Sequence, residues 1–189
     1  LFTLSSLSPQ KIVEIIDLAL RFKNGETKVS YSGKSMATLF FENSTRTQYS
    51  FQMAMIKLGI TPISFSSVGS SLAKGESLYD TVKTFEALGV DGVVIRHGKD
   101  GYYRGLASVR IPIFNGGDGA SDHPTQTLLD LMTIYEEFGR FDGLSICFVG
   151  DIKHSRVAHG NAEVMKRLGM KVYIAGPDEM LDDTAEVIS

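Results

Sequence analysis

The apolar and polar positions of the chain follow two periods that alternate along its length. Short apolar runs such as 36–41 and 92–95 are typical of buried strands, whereas apolar residues three or four positions apart, as in 51–58, are typical of amphipathic helices. This pattern predicts strands at 36–41, 60–65, 91–96, 111–114, 144–149 and 171–175, separated by helices at 8–24, 45–58, 76–88, 124–138 and 155–168. The alternation predicts an α/β fold, a parallel sheet with helices on both faces.

The same pattern predicts two domains. A first domain is expected over 1–138, and the glycines at 139 and 143 mark a boundary. Residues 139–189 are then the beginning of a second, Rossmann-like α/β domain, which is incomplete because one strand-helix-strand unit cannot form a stable sheet. The chain also starts without methionine. We therefore expect it to be a piece of a longer protein.

Composition and charge narrow the class of protein. The 189 residues are 43% hydrophobic and 22% charged, as in ordinary globular proteins, and the net charge of -3 argues against nucleic-acid or anionic-membrane binding. No apolar run approaches membrane-spanning length. Cys147 is the single cysteine, so an intrachain disulfide is excluded, and its apolar neighbours predict a buried strand position. A cytoplasmic location is expected.

The most informative polar segment lies between the first predicted strand and the second helix. Ser44, Thr45, Arg46 and Thr47 combine hydroxyl groups, a guanidinium and the free N–H groups of a helix start. Such a group is suited to a compact oxyanion such as phosphate. An ordinary capped helix with a surface arginine is an equally good interpretation of this segment alone.

Two further clusters follow predicted strands of the same sheet. Arg96 ends an apolar strand, and His123 to Gln126 begin a helix after a glycine-rich turn. Because ligands bind at the carboxyl ends of parallel strands, the three clusters together predict a site for a doubly charged phosphate and a carbonyl oxygen that gains charge. His154 and His159 are five residues apart, a poor spacing for a helical metal pair, so no metal site is predicted.

Five segments, in order and spacing, resemble the transcarbamylase family. They are FENSTRT at 41–47, KGESLYDT at 74–81, IRH at 95–97, HPTQTLLD at 123–130 and GDIKHSR at 150–156. The resemblance covers essentially the whole chain. Lys74 before Gly75 resembles the aspartate branch, bacterial type, because ornithine enzymes usually carry a neutral residue there.

The resemblance implies a first domain that binds carbamoyl phosphate and a second that binds the amino-acid acceptor. It assigns Ser44, Thr45, Arg46 and Thr47 to the phosphate, and Thr47, Arg96, His123 and Gln126 to the carbamoyl group. Ser70 and Lys74 are implied to reach the active site of a neighbouring subunit, although their serine-rich loop is also typical of a solvated linker. Arg156 is implied to bind an aspartate carboxylate, and Glu42 to pair with second-domain cations when the domains close.

The implied reaction transfers a carbamoyl group to L-aspartate, in pyrimidine biosynthesis, without a cofactor or metal. The implied catalytic residues are Arg46, Thr47, Lys74, Arg96, His123 and Gln126. A homotrimer with shared active sites is implied, and a regulatory or other pathway subunit stays open. Asp122 stands where related sequences often carry glutamine, and its carboxylate could raise the pKa of His123 or weaken anion binding. Ornithine as acceptor, or a non-catalytic phosphate-binding or assembly subunit, are the alternatives.

Overall fold

The computed structural model describes residues 1–65, 75–119 and 121–188. Five α-helices lie in these ranges: α1 Pro9–Lys23, α2 Thr45–Lys57, α3 Leu78–Ala87, α4 Pro124–Phe138 and α5 Arg156–Arg167. The strands are β1 Ser35–Phe40, β2 Thr61–Phe65, β3 Gly92–His97, β4 Ile113–Asp118, β5 Ser145–Val149, β6 Lys171–Ala175 and β7 Glu186–Val187. The chain groups into two compact units, Leu1–Phe2 with Lys28–Gly119 and Thr3–Thr27 with Ala120–Ser189.

The first unit is built on a four-stranded sheet in the order β2-β1-β3-β4, and every neighbouring pair is parallel. Side chains alternate across it as a strand requires. Leu39 and Ile95 pack on one face with Val82 of α3, whereas Phe40 and Val94 pack on the other with residues of α2. The α/β fold with helices on both faces of a parallel sheet is thereby confirmed.

The face that α2 turns to the sheet is less covered than its sequence predicts. The amphipathic pattern at 51–58 places Phe51, Ala54, Met55 and Leu58 on one helix face, and of these Met55 alone is buried. All four line an apolar cavity of about 620 Å³ within the first unit. The helical spacing was therefore predicted correctly, but the degree of burial was not.

The second unit contains a parallel sheet of three strands in the order β5-β6-β7. Its helices α1, α4 and α5 pack together, with α4 in contact with both of the others. Ile12 and Ile16 of α1 and Leu131 of α4 are fully buried. The Arg167 guanidinium donates hydrogen bonds to the carbonyl oxygens of two residues that precede α1. No helix in the described ranges is long and apolar enough to cross a membrane.

The fourth strand differs from its prediction. A strand at 111–114 followed by a glycine turn was expected, but β4 begins at Ile113 and continues through the glycines to Asp118. Pro112 cannot donate to a sheet, which explains the later start. The glycines continue the strand because they pair with β3, where the register shifts between Ile95 and Arg96. The polar end of this sheet is therefore strand with one register shift, rather than loop.

The prediction for Cys147 was wrong. It lies in β5 as expected, but its side chain is exposed. Burial along β5 alternates between half-buried and exposed positions, and Cys147 falls on the exposed side. Its apolar neighbours Ile146 and Phe148 point to the opposite face, which is the usual consequence of the two-residue period of a strand.

Candidate active site

The start of α2 follows directly from the sheet of the first unit. β1 ends at Phe40, and Ser44 precedes the first helical residue with an extended backbone. Thr45 and Arg46 are exposed and Thr47 is half-buried, so this helix start faces solvent. Its first-turn N–H groups and the Arg46 guanidinium can therefore reach a bound anion.

The helix starts of the chain fall into two kinds. In α1, α3 and α5 the preceding serine caps the helix, because the hydroxyls of Ser8, Ser77 and Ser155 each accept a hydrogen bond from a first-turn N–H. In α2 and α4 the preceding residues, Ser44 and His123, make no such side-chain bond within the described ranges. The sequence assigns residues at the starts of α2 and α4, and also Arg156 at the capped start of α5, to substrate binding.

Arg96 is fixed at the end of β3 by its neighbours in the first unit. Its Nε lies 3.4 Å from Glu42 Oε2, and its Nη1 lies 3.4 Å from the carbonyl oxygen of Gly116. Phe40 pairs with Arg96 in the sheet, which places Glu42, two residues beyond β1, beside the guanidinium. Only 13% of the Arg96 side chain is exposed. The carboxylate stabilises this largely buried cation.

Two glycines leave room for this ion pair. Gly117 has a φ of +139°, and a Cβ there would lie 3.0 Å from Arg96 Nη1. A Cβ at Gly98 would lie 2.9 Å from Glu42 Oε1. Larger residues at either position would displace one partner, so these glycines belong to the site although neither carries a functional group.

A buried polar network supports the same end of the sheet. Asn115 is fully buried, and its Nδ2 donates to the carbonyl oxygen of Phe2 at 2.8 Å. Its Oδ1 accepts from the N–H of Gly117 at 2.9 Å and lies 3.3 Å from the Tyr102 hydroxyl, which also lies 3.0 Å from the carbonyl oxygen of Ile95. Burial raises the pKa of Tyr102, so its hydroxyl stays protonated and can donate. This network holds the glycine segment against β3.

His97 follows Arg96 and is neutral in this setting. Its Nδ1 accepts a hydrogen bond from the N–H of Lys99 at 2.9 Å, and its ring packs against Phe41 and Tyr102. Burial lowers the pKa of His97, an effect that the charge of Glu42 opposes and that of Lys99 reinforces. A neutral imidazole adds no positive charge beside Arg96.

The second unit positions His123 and Gln126 at the start of α4. His123 precedes the helix and Pro124 occupies its first turn. Gln126 Nε2 donates to Asp130 Oδ1 at 2.9 Å, one helical turn on, and the other carboxylate oxygen accepts from Asn161 Nδ2 of α5 at 2.7 Å. The Gln126 amide is thus oriented by its neighbours before any ligand binds.

Arg156 is the first residue of α5 and is half-buried. The turn before it contains a pair between His154 Nδ1 and Asp151 Oδ1 at 2.9 Å, and His159 pairs with Asp182 at 2.8 Å. The hydrogen bond from His154 lowers the pKa of Asp151. Both histidines therefore have carboxylate partners, and no group of three or more metal-binding side chains occurs in the described ranges.

Comparison with known proteins identifies the family. The profile of Aspartate/ornithine carbamoyltransferase, carbamoyl-P binding domain, matches residues 1–136. The chain belongs to the aspartate/ornithine carbamoyltransferase family. The match ends close to the end of α4, which bears the last of the three predicted clusters at the carboxyl ends of strands.

Solved structures of carbamoyltransferases resemble the chain over nearly its whole length. The aspartate transcarbamoylase of Trypanosoma cruzi in complex with carbamoyl phosphate is 36% identical with a TM-score of 0.87, and the match covers 97% of this chain and 59% of that one. The same enzyme in complex with N-(phosphonacetyl)-L-aspartic acid is 35% identical with a TM-score of 0.88, covering 97% and 62%. The catalytic subunit of M. jannaschii aspartate transcarbamoylase is 36% identical with a TM-score of 0.88, covering 99% and 66%. The chain thus spans about three fifths of the length of these carbamoyltransferase structures.

Within each of the two units, the structure brings some of the predicted site residues together. In the first unit, Glu42 and Arg96 meet beside the start of α2. In the second, Gln126 is linked through Asp130 to the helix that Arg156 begins. The predicted loop residues Ser70 and Lys74 lie outside the described residues.

Sequence reasoning missed the residues that hold this candidate site in place. Asn115 and Gly117 were predicted only as part of the glycine-rich turn, Tyr102 was not considered, and no sequence spacing links the three. Asp130 could have been found, because glutamine and aspartate four residues apart on a helix form hydrogen bonds.

Proposed function

We propose that the full-length protein transfers the carbamoyl group of carbamoyl phosphate to the amine of L-aspartate, giving N-carbamoyl-L-aspartate and phosphate. The observation that carries this proposal is the family match over 1–136, since that profile is described as a carbamoyl-P binding domain and includes the uncapped start of α2 with Arg46. Relatives about 36% identical to this chain are named aspartate transcarbamoylases, some of them in complex with carbamoyl phosphate and aspartate.

The phosphate of the substrate binds at the start of α2. Ser44, Thr45 and Thr47 offer hydroxyl donors, the first turn offers backbone N–H groups, and Arg46 supplies a planar cation that can bind two oxygens. In the described part of the chain the Ser44 side chain makes no capping bond to α2, which supports this role, because a serine engaged in capping would have less capacity for a ligand. Arg46 also lies near the bridging oxygen and assists its departure.

The carbamoyl group is polarised by Arg96, His123 and Thr47. Donors at its carbonyl oxygen stabilise the negative charge that develops when the amine attacks. Gln126 acts as an acceptor rather than a donor. Its Nε2 donates a hydrogen bond to Asp130, so its Oε1 can accept a hydrogen bond from the substrate. The site therefore combines donors for the carbonyl oxygen with an acceptor for an N–H.

The reaction proceeds by attack of the aspartate amine on the carbamoyl carbon. A bond from nitrogen to carbon forms, an oxyanion develops, and the carbon–oxygen bond to phosphate breaks. The leaving phosphate accepts the proton that the amine loses, so no protein base is required. Holding both substrates in contact supplies much of the acceleration.

The choice of aspartate and the assembly of the enzyme rest on the family resemblance. Arg156 binds an aspartate carboxylate, Lys74 and Ser70 reach the active site of a neighbouring subunit in a cytoplasmic homotrimer, and Glu42 contributes to domain closure. We place the boundary between the carbamoyl-phosphate domain and the aspartate domain at 138/139, close to the end of the family match. Association with a regulatory or other pathway subunit, and a role in pyrimidine biosynthesis, belong to the same proposal.

Product formation with two acceptors tests this proposal. The purified full-length protein is incubated with carbamoyl phosphate and either aspartate or ornithine, and the ureido product is measured. Product with aspartate alone is expected. Product with ornithine alone would overturn the choice of acceptor, and a folded oligomer that binds carbamoyl phosphate but forms neither product would indicate a non-catalytic phosphate-binding subunit.

A further inference from the structure

Three polar side chains form a continuous chain of hydrogen bonds between α4 and α5. Gln126 Nε2 donates to Asp130 Oδ1 at 2.9 Å, and Asn161 Nδ2 donates to Asp130 Oδ2 at 2.7 Å. Both oxygens of the Asp130 carboxylate are thus engaged, one by each helix. An ionised acceptor makes such bonds stronger than those between neutral groups.

The carboxylate decides which way the Gln126 amide faces. An ionised carboxylate can only accept, so the amide nitrogen must face Asp130 and Oε1 must face away from it. A glutamine side chain that is free to rotate would present nitrogen and oxygen by turns, and ordering it costs conformational entropy. Asp130 removes this freedom in the unliganded protein.

Asn161 in turn fixes Asp130. Its side chain is only 3% exposed, and its Oδ1 has no hydrogen-bond partner within the described ranges, so the bond to Asp130 is what orients the Asn161 amide. Asn161 lies on α5, the helix that begins with Arg156. The hydrogen-bond chain therefore ties the position of Gln126 to that helix.

We propose that Asp130 and Asn161 are positioning residues that hold Gln126 with Oε1 presented to the carbamoyl substrate. Neither residue contacts substrate; both act through the orientation of the Gln126 amide. The orientation itself follows from the structure, and only the identity of the molecule that Oε1 meets rests on the proposed function.

The test compares four variants of the full-length protein. Asp130→Ala removes both acceptors. Asp130→Asn keeps one oxygen for Gln126, and its new amide can donate to Asn161 Oδ1 once that side chain turns over. Asn161→Leu removes the second anchor with little change in volume. Glu163→Ala is the control, because it removes an exposed carboxylate from α5 that pairs with Arg167.

The first readout is hydrogen exchange of the Gln126 side-chain amide, followed by NMR with ¹⁵N-glutamine and assigned by loss of the signal in Gln126→Met. We expect roughly tenfold faster exchange in Asp130→Ala, a smaller increase in Asn161→Leu, and exchange close to that of the wild type in Asp130→Asn and Glu163→Ala. Wild-type exchange in Asp130→Ala would overturn the proposal. So would equal acceleration in Asp130→Asn, which would show that the charge rather than the hydrogen bond matters.

The second readout is kcat and KM for carbamoyl phosphate. The ratio kcat/KM is expected to fall roughly tenfold in Asp130→Ala and to recover in Asp130→Asn. If Asp130→Ala does not fold, Asn161→Leu decides, and unchanged exchange there would contradict the proposal. If the wild type forms no ureido product, the exchange results still test the positioning, and only the assignment of the substrate fails.

Discussion

At the scale of single residues, the ion pair of Glu42 and Arg96 shows how the sheet positions a guanidinium in the candidate site. Parallel pairing of β1 and β3 places the two residues side by side, and 3.4 Å separates Nε from Oε2. The carboxylate orients the guanidinium as well as stabilising it. This orientation matters because the guanidinium is planar and presents its N–H donors to an anion in a fixed direction. The role of Glu42 in domain closure remains a prediction.

Substitution of Gly117 tests the space that this arginine requires. Gly117→Ala introduces a Cβ 3.0 Å from Arg96 Nη1 at a φ of +139°, so we expect a loss of about 1–3 kcal/mol in the free energy of unfolding and a raised KM for carbamoyl phosphate. Gly105→Ala is the matched control, because a Cβ there meets nothing within 4 Å. Thermal unfolding measures the stability of the two variants, and steady-state kinetics measures their KM for carbamoyl phosphate. A KM in Gly117→Ala equal to that of the wild type would show that the space at Gly117 does not constrain Arg96.

The half-buried His97 predicts a pH dependence of stability. Its pKa is lowered below 6.5 mainly by burial, so the unfolded chain binds a proton at a higher pH than the folded protein does. Above pH 6.5, the ordinary pKa of histidine in the unfolded chain, the contribution of neutral His97 to the free energy of unfolding is complete. It is lost as the pH falls through the lower pKa of His97 in the folded protein.

We expect the melting temperature of the wild type to drop more than that of His97→Phe between about pH 7.5 and 5.5. Phenylalanine keeps the aromatic packing against Phe41 and Tyr102 but cannot titrate. Differential scanning calorimetry at several pH values measures the difference, and parallel curves for the two proteins would contradict this account.

At the scale of elements, the sequence predicted most helices and strands to within a few residues because their apolar periods are clear. The start of α2 directly after Ser44 was predicted correctly, but the sequence could not show whether the Ser44 side chain caps the helix, and in the described residues it does not. The full length of β4 was not predicted, because glycines contribute no apolar side chain to the pattern of the sequence. The glycine segment belongs to the strand because it pairs with β3, and this pairing is a tertiary contact.

The two kinds of helix start predict different effects of the same substitution. Ser8→Ala removes a hydroxyl that accepts from Lys11 N at 3.2 Å, and should lower the free energy of unfolding by about 1 kcal/mol without changing substrate binding. Ser44→Ala removes no cap, so it should cost less stability and weaken carbamoyl phosphate binding. Chemical denaturation and calorimetric titration separate the two effects, and a larger stability loss in Ser44→Ala would contradict the assignment.

The sequence predicted those residues of the candidate site whose side chains can themselves bind an anion or a carbonyl oxygen, namely arginine and histidine. Arg96 lies near the end of β3, Arg46 and His123 come after β1 and β4, and the family motifs contain all three. The supporting residues Asn115 and Asn161 could not be found in this way, since a buried asparagine has a function only through partners that are distant in sequence.

At the scale of the whole molecule, the proposed homotrimer predicts recovery of activity in mixtures. If Arg46 and Lys74 of one active site come from neighbouring subunits, mixed trimers of Arg46→Ala and Lys74→Ala chains contain about one intact site in three. Dissociating and reassembling the two inactive full-length variants together should therefore restore activity. Mixtures that stay as inactive as the separate variants would place both residues in the same subunit.

Calorimetric titration of the full-length protein with carbamoyl phosphate tests the central claim, that the start of α2 with Arg46 binds the phosphate. Arg46→Ala should weaken binding roughly 10- to 100-fold and abolish turnover while the fold is kept, because charge-assisted hydrogen bonds to the phosphate are lost. Arg21→Ala, which removes an equal charge from the exposed end of α1, should bind as the wild type does. Near-normal affinity and turnover in Arg46→Ala would contradict the phosphate assignment.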